Sequence, residues 1–530
     1  MVRAVLGGLR RFAAGSEGVI FYLAAMLMVP LIAMAAVAVD VGQLLVVRDQ
    51  LSASIDAAAL NVGANPTLTT AQAQAQAQAF VKANFSSQSN ATLTSLTLTQ
   101  TSSTVSITAT ATINTYLLQI IGYTTLSTTV TNQVTLAQNY LEVVLVLDNT
   151  GSMLQTYGTM TGIQGLITAS TALVNTLFAS DPTGQYVKIG VVPFTAAVNV
   201  GTQYANASWM DTAGAGTMTR ENLNVPAGKG LISLASELTN ASWSGCVRQR
   251  TEPYDIEDVA PTSSNLATLF TPYMAPDEPD TGGFYNNYLP DGAFPRGTTQ
   301  AQIQYDVTKY NRGTAQNLSS GLGPNFTCPI QPIIRLTNDQ SAILNEINAM
   351  KADGATVIPA GLMWGWHLIS PNGPFGDGVA YSDTHTLKVI ILLTDGYNDV
   401  QLTYNYIPPT APTNGFNKSI YSAYGYGSGP HLNVLQVPQG VSQDQADYNL
   451  DQKEKQLCSN IKAVTDANGN TGRIIVYAIG FGTVINNSSL QLLQQCATDS
   501  AHYFYNPTSE ELVATFQQIA IGLNSLRISK

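Results

Sequence analysis

Between residues 141 and 479 the chain carries four nearly continuous apolar runs: Leu141–Leu147, Val187–Pro193, Leu387–Thr394 and Arg473–Ile479. Apolar runs without polar alternation are the pattern of strands buried on both faces. Around them, apolar residues recur three and four positions apart. That spacing predicts helices over Gly162–Phe178, Asp339–Met350, Pro359–Ile369, Asp444–Ala467, Leu490–Ala497 and Ser509–Leu526, with a short strand at His502–Tyr505. Buried strands alternating with helices imply an α/β fold, a mostly parallel sheet covered on both faces. Ligands of such sheets lie at the carboxyl ends of the strands. Two of the four runs lead directly into an aspartate there, Asp148 and Asp395.

Upstream the pattern is different. Residues 18–39 are uncharged, and 22 residues at ~1.5 Å each span roughly 33 Å, enough to cross a bilayer. Pro30 in the middle is tolerated in a membrane helix. Arg3, Arg10 and Arg11 precede the stretch and Asp40 follows it, so the positive-inside rule puts residues 1–17 in the cytoplasm and the remainder outside. A cleaved signal peptide ending near Ala36-Val37-Ala38 is the rival reading. Helical spacing continues over Val41–Val62. The Ala/Gln alternation of residues 71–79 has period two, yet both residues are helix formers, so a helix is expected, with a low-complexity linker as the competitor. Leu93–Thr99, Val105–Ile113 and Leu126–Val134 alternate apolar with Thr or Ser, as half-buried strands do. Tyr116–Ile121 between the last two reads as a short helix or apolar bridge.

These shifts divide the chain into a cytoplasmic N-terminus (1–17), a transmembrane helix (18–39), a small α+β stalk domain (40–138) and an α/β domain (139–530). Two Gly/Pro/Tyr-rich insertions without long periodic elements, about 199–325 and 397–441, interrupt the last. The 530 residues of the chain are too many for one ordinary domain. The net charge of −11 excludes nucleic acid as a partner. Four cysteines in an exported segment suggest two disulfides, and proximity favours Cys246–Cys328 and Cys458–Cys496. Zinc and free buried thiols are the alternatives, although no Cys-x₂-Cys occurs.

Asp148-Asn149-Thr150-Gly151-Ser152 delivers three short oxygen side chains to the end of the first strand. Thr356, in a Gly- and Pro-flanked segment, and Asp395 add two more oxygen donors. Hydroxyls and carboxylates are the ligands of hard divalent cations, Mg²⁺ or alternatively Mn²⁺ or Ca²⁺. Taken singly, Asp148 and Asp395 could equally cap a helix or form a turn. Together, in this order, Asp148, Thr150, Ser152, Thr356 and Asp395 resemble the metal-ion-dependent adhesion site of von Willebrand factor A domains, Thr150 replacing a serine. That resemblance implies a Rossmann-like domain whose ion takes a carboxylate from a protein partner.

Other features point to less. No Gly-x-Ser-x-Gly elbow or His-Glu-x-x-His occurs, and Gly228-Lys229-Gly230 is not a phosphate loop, so no enzyme and no small-molecule substrate are expected. His367, between tryptophans, reads as a core histidine. Asp277-Glu278-Pro279-Asp280 reads as solvated surface before a Ca²⁺ loop. The tyrosines of residues 421–426 read as an adaptable binding loop or as insertion filler.

Three stretches are similar to TadG-type proteins of the bacterial Tad (Flp) pilus assembly system. They are Glu17 through Leu60, the metal motif, and Cys458 through Ser529. The resemblance implies a single-pass inner-membrane protein with a periplasmic or extracellular C-terminal domain. It also implies a role in pilus assembly and adherence, with partners in the pilus machinery or carboxylate-bearing surface ligands. A pilus-base or tip subunit with a purely structural ion is the alternative, and a secreted hydrolase the more distant one. Gly15-Ser16-Glu17 does not place Glu five residues after Gly, as prepilin peptidase substrates require, so the anchor is expected to stay.

Overall fold

The computed structural model describes residues 16–63, 68–85, 91–101, 104–135, 139–282, 284–400, 416–433, 438–439, 445–483 and 485–528. Its contacts divide into two units, Met1–Gln138 with Ser525–Lys530, and Asn139–Asn524.

In the first unit a single helix, α1 (Ser16–Gly63), contains Pro30 and is long and apolar enough to cross a membrane. Its two halves differ in burial. Met26, Val29 and Leu31 stand exposed, whereas Leu51, Ile55, Ala58, Ala59 and Val62 form a fully buried stripe at helical spacing. That stripe packs on α2 (Thr70–Phe85), whose buried Ala73, Ala77, Val81 and Phe85 recur every fourth residue. The Ala/Gln repeat is therefore helical, its alanines allowing close approach. Its glutamines do separate work: the Gln74 amide donates to Leu96 O at 2.8 Å and accepts from Leu98 N at 2.7 Å, pairing the open edge of β1 (Ala91–Gln100). β1, β2 (Thr104–Asn114) and β3 (Thr125–Thr135) form an antiparallel sheet in that order. The apolar side of β2 faces the helices, and its threonines form cross-strand hydroxyl pairs, Thr108–Thr131 and Thr110–Thr129, each 2.9 Å.

The second unit runs β4 (Tyr140–Asp148), α3 (Gly162–Ala179), β5 (Val187–Phe194), β6 (Ile334–Thr337), α4 (Gln340–Ala349), α5 (Ile358–Ile369), β7 (Thr386–Thr394), α6 (Gln445–Lys462), β8 (Ile474–Phe481), α7 (Asn487–Cys496), β9 (Tyr503–Asn506) and α8 (Ser509–Ile528). The sheet order is β9-β8-β7-β4-β5, all parallel. Antiparallel β6 and two-residue strands at Val198–Asn199 and Cys246–Val247 extend it, so the sheet is mixed. Alternate residues of β4 serve opposite cores. Val144 and Val146 pack with α5, α6 and α7, while Val143, Leu145 and Leu147 pack with α3, α4 and α8. Two of the charges inside the apolar runs are paired: Lys388 on β7 lies beside Glu142 on β4 and bonds it at 2.6 Å.

Several expectations need correction. β6 was not apparent in the sequence, because four residues of mixed polarity are too few to show an alternation. α6 stops at Lys462 and not at Ala467, because Asp466 bonds the N–H groups of Asn468 and Asn470 in a turn; Asp444 lies outside the described residues, as does much of 397–441. Asp277 and Glu278 are buried rather than solvated. The Asp277 carboxylate pairs with Lys309 at 2.5 Å and accepts from Tyr288 N and Leu289 N. Tyr421, Tyr424 and Tyr426 are likewise buried in a core cluster, which rules out an adaptable surface loop. His367 is a core residue between Phe270 and Trp364. Both favoured disulfides are present; Cys246–Cys328 closes the long insertion and Cys458–Cys496 joins α6 to α7.

Two glycines set the approach of α5 to the sheet, Gly361 against Phe194 and Gly365 against Val146. A Cβ at Gly365 would collide with Val146. Gly→Ala inside a helix ordinarily stabilises by roughly 0.5–1 kcal/mol, but overpacking costs typically 1–3 kcal/mol. Gly365→Ala is therefore expected to destabilise the unit, read as a lower urea midpoint; a raised midpoint would show that the helix can retreat without cost.

Candidate metal centre

Asp148 ends β4 and Asp395 directly follows its parallel neighbour β7, which is why they meet despite their separation in sequence. β7 pairs with β4 through Leu393 beside Leu147, so the next residues of both chains emerge together at the carboxyl edge. Thr394 Oγ1 donates to Asp148 Oδ2 at 2.6 Å, bonding one strand end to the other. Asp148 also accepts from Thr150 N at 2.8 Å, which folds the loop after β4 back over its own carboxylate.

The remaining donors are delivered by loops stitched backbone to backbone. Gly151 N bonds Gly354 O at 3.0 Å, and Asp353 N bonds Asn149 O at 2.8 Å, holding the loop before α5 against the first loop. Thr356 and Asp399 exchange both N–H···O bonds, holding it against the third. Asn398 fixes that third loop. Its side-chain oxygen accepts from Ile358 N at 2.9 Å, and its amide donates to Asp451 and Glu454 on α6.

Within this frame the side chains form one oxygen cluster. Ser152 Oγ donates to Asp395 Oδ1 at 2.6 Å, and Thr150 Oγ1 lies 2.9 Å from Ser152 Oγ. A Cβ at Gly396 would stand 3.7 Å from Thr356 Oγ1 and 3.8 Å from Ser152 Oγ, so these two hydroxyls border a space that only glycine leaves clear. The structure thus brings all five sequence-derived candidates, Asp148, Thr150, Ser152, Thr356 and Asp395, to one edge. Ser152 is half-buried and the other four are buried, so the cluster meets solvent at Ser152.

Three contributors were not picked from the sequence. Tyr157 donates to Asp395 Oδ2 at 3.0 Å and packs edge-on against Phe481, and no spacing rule points to it. Thr394 looked like the last residue of a strand, and Asn398 like loop.

The electrostatics are unfavourable as they stand. Burial, reinforced by the Asp148 charge, pushes the Asp395 carboxyl up to about 7. Burial also raises Asp148 above the usual carboxylate range, and burial with the Asp395 charge raises the Tyr157 hydroxyl. Among the described residues no Lys, Arg or His forms an ion pair with either aspartate. Buried carboxylates are ordinarily paired, neutralised or bound to metal.

The donor set fits a hard divalent cation: two carboxylates and three hydroxyls, all oxygen. Because Ser152 spends its proton on Asp395, its lone pairs remain available. Among the described residues no group of three or more His, Cys, Asp or Glu could hold a metal. An ion at this edge would therefore rest on hydroxyls as much as on carboxylates.

Residues 18–65 match the family model described as "Putative Flp pilus-assembly TadE/G-like". This stretch covers the apolar part of α1 and its continuation, under a tenth of the chain. No curated protein matches. Among solved structures, the chain is similar to the pilus adhesin SpaC from Lactobacillus rhamnosus GG at 12% identity and TM-score 0.31, over 83% of this chain and 35% of that one. It is similar to the vWF domain of the type V pili tip protein Mfa5 from Porphyromonas gingivalis at 12% identity and TM-score 0.32, over 74% and 97%. The PilB minor pilin from Streptococcus sanguinis matches at 12% identity and TM-score 0.30, over 82% and 78%. The chain spans about a third of SpaC. Likeness this distant does not assign the site.

The raised Asp395 carboxyl has a definite consequence. Between the ordinary carboxylate value near ~4 and about 7, the metal-free fold binds more protons than the unfolded chain, so its stability falls as pH rises through that window. A cation that displaces the proton reverses the trend. The gain in melting temperature from added Mg²⁺ is expected to be larger at pH 8 than at pH 5, and to vanish in Asp395→Asn. An equal gain at both pH values would contradict the assignment.

Proposed function

We propose that this chain is a membrane-anchored, pilus-associated protein that binds protein partners through a divalent cation held by Asp148, Thr150, Ser152, Thr356 and Asp395. One observation carries the reading: two buried carboxylates share an oxygen cluster with three hydroxyls, at the carboxyl edge of a largely parallel sheet, and among the described residues no protein cation forms an ion pair with either. Mg²⁺, Mn²⁺ or Ca²⁺ would supply the missing charge, and a position left open toward Ser152 would take a carboxylate from the partner.

The order of the ligands along the chain supports a von Willebrand factor A-like unit with insertions. The family match at residues 18–65 supports the pilus association. An exposed apolar helix behind three N-terminal arginines supports a single-pass inner-membrane anchor, with the Asn139–Asn524 unit outside. The role is recognition rather than catalysis. The hydroxyls and carboxylates of the cluster make up the all-oxygen donor set of a hard cation, which supports recognition.

The test is Mn²⁺ titration of the full-length protein in detergent, followed by electron paramagnetic resonance. One tight site is expected, weakened at least about 100-fold in Asp148→Ala. Pull-down of envelope proteins with and without chelator then separates recognition from a structural ion. Loss of partners while the circular dichroism spectrum is unchanged supports recognition. An undisturbed Mn²⁺ titration in Asp148→Ala removes the proposal.

A further inference from the structure

Resting on the reading of residues 18–39 as a membrane span, we propose that the β2–β3 loop, Thr115–Thr124, is a second membrane contact. It would seat Leu117, Ile120 and Ile121 in the bilayer interface beside α1. The occupant is the lipid surface from which α1 emerges.

The loop is the apolar tip of an otherwise polar sheet edge. Tyr116, Leu117, Ile120, Ile121 and Tyr123 are exposed, Ile120 at 76% and Tyr123 at 63%, and no charged residue lies between Thr115 and Thr124. The outward faces of the strands leading to it are Thr and Ser, so the exposed aliphatic surface is confined to the tip. Contiguous exposed apolar surface rimmed by polar residues marks an interaction site. Aliphatic side chains flanked by two tyrosines are the composition of a bilayer interface.

Its location is fixed by Asp40, the first charged residue after the span. The buried Asp40 carboxylate accepts from Tyr116 N at 2.9 Å, Leu117 N at 3.0 Å and Leu118 N at 2.7 Å. The loop backbone is therefore tied to the helix at the level where the apolar stretch ends. The direction of the strands shows which way the tip points. Asn132 on β3 donates to Ser52 O on α1 at 3.0 Å. From that contact β3 runs back about 23 Å to Thr125, at roughly 3.3 Å per residue. Over the same interval α1 runs back about 18 Å to Asp40, at 1.5 Å per residue. Helix and hairpin thus advance together toward the span, and the loop is their leading edge. The 3₁₀ turn Leu118–Ile121 packs against α1. Ala36, one turn into the span on the face of Asp40, is covered to 5% exposure, while Met34, Val37 and Val39 around it stay exposed. Gly122, with φ at +97°, closes the turn so tightly that the chain reverses at once into β3.

The experiment uses the full-length chain in lipid nanodiscs, with an environment-sensitive fluorophore on a cysteine introduced at one of three places. Ile120→Cys reports on the loop, Met28→Cys on the span, and Thr94→Cys on the exposed sheet face. Quenching by nitroxide lipids and by aqueous Co²⁺ is compared. The expected pattern is lipid quenching at positions 28 and 120, with aqueous quenching at 94. An aqueous label at 120 beside a lipid-quenched label at 28 overturns the loop contact and leaves the anchor standing. Aqueous labels at both overturn the anchor and the loop contact together.

Discussion

Two carboxylates at the ends of adjacent parallel strands are the constraint around which the second unit is arranged. Strand pairing places Leu393 beside Leu147, and the residues that follow have to share a few ångströms of sheet edge. Thr394, Ser152, Tyr157 and Thr150 N each donate to one of the two aspartates. These bonds partly satisfy the oxygens but bring no positive charge. Elsewhere the unit pairs several of its buried charges directly: Lys388 with Glu142, Lys309 with Asp277, Arg248 with Glu221. What singles out this edge is that two buried carboxylates meet there and, among the described residues, no Lys, Arg or His forms an ion pair with either.

The same edge explains the demand for rigidity around it. Hydroxyl ligands bind weakly one at a time, so in the proposed metal site three of them would contribute only if their loops were held in place beforehand. The backbone pairs Gly151–Gly354 and Thr356–Asp399 provide that, and Asn398 carries the support through to α6. α6 is in turn joined to α7 by Cys458–Cys496. Stiffness thus runs from a disulfide on one layer to the loops that present Thr356 and Asp395. At the other end of the chain Asp40 plays a comparable part, one carboxylate organising three backbone N–H groups, but there the donors satisfy it fully and no ion is called for.

The long periodic elements and the oxygen motif were legible in the sequence for a physical reason. Strands buried on both faces cannot carry polar residues without partners, so Leu141–Leu147 and Leu387–Thr394 stand out, and the aspartates after them with equal clarity. What was illegible depends on partners distant in sequence. Tyr421, Tyr424 and Tyr426 have the composition of a surface loop, and only packing against Arg248 and its surroundings makes them core. Asp277 looks solvated until Lys309 closes on it. Tyr157 and Thr394 act on the cluster by position alone, with no spacing to betray them. Short β6 carries too few residues for any periodicity.

The most direct measurement is anomalous scattering from crystals of the protein soaked in Mn²⁺. The account predicts one dominant peak at the carboxyl edge of β4 and β7, within about 2.0–2.2 Å of hydroxyl or carboxylate oxygens from Asp148, Thr150, Ser152, Thr356 or Asp395. No peak there at saturating Mn²⁺, with Ser152 still donating to Asp395, would contradict it.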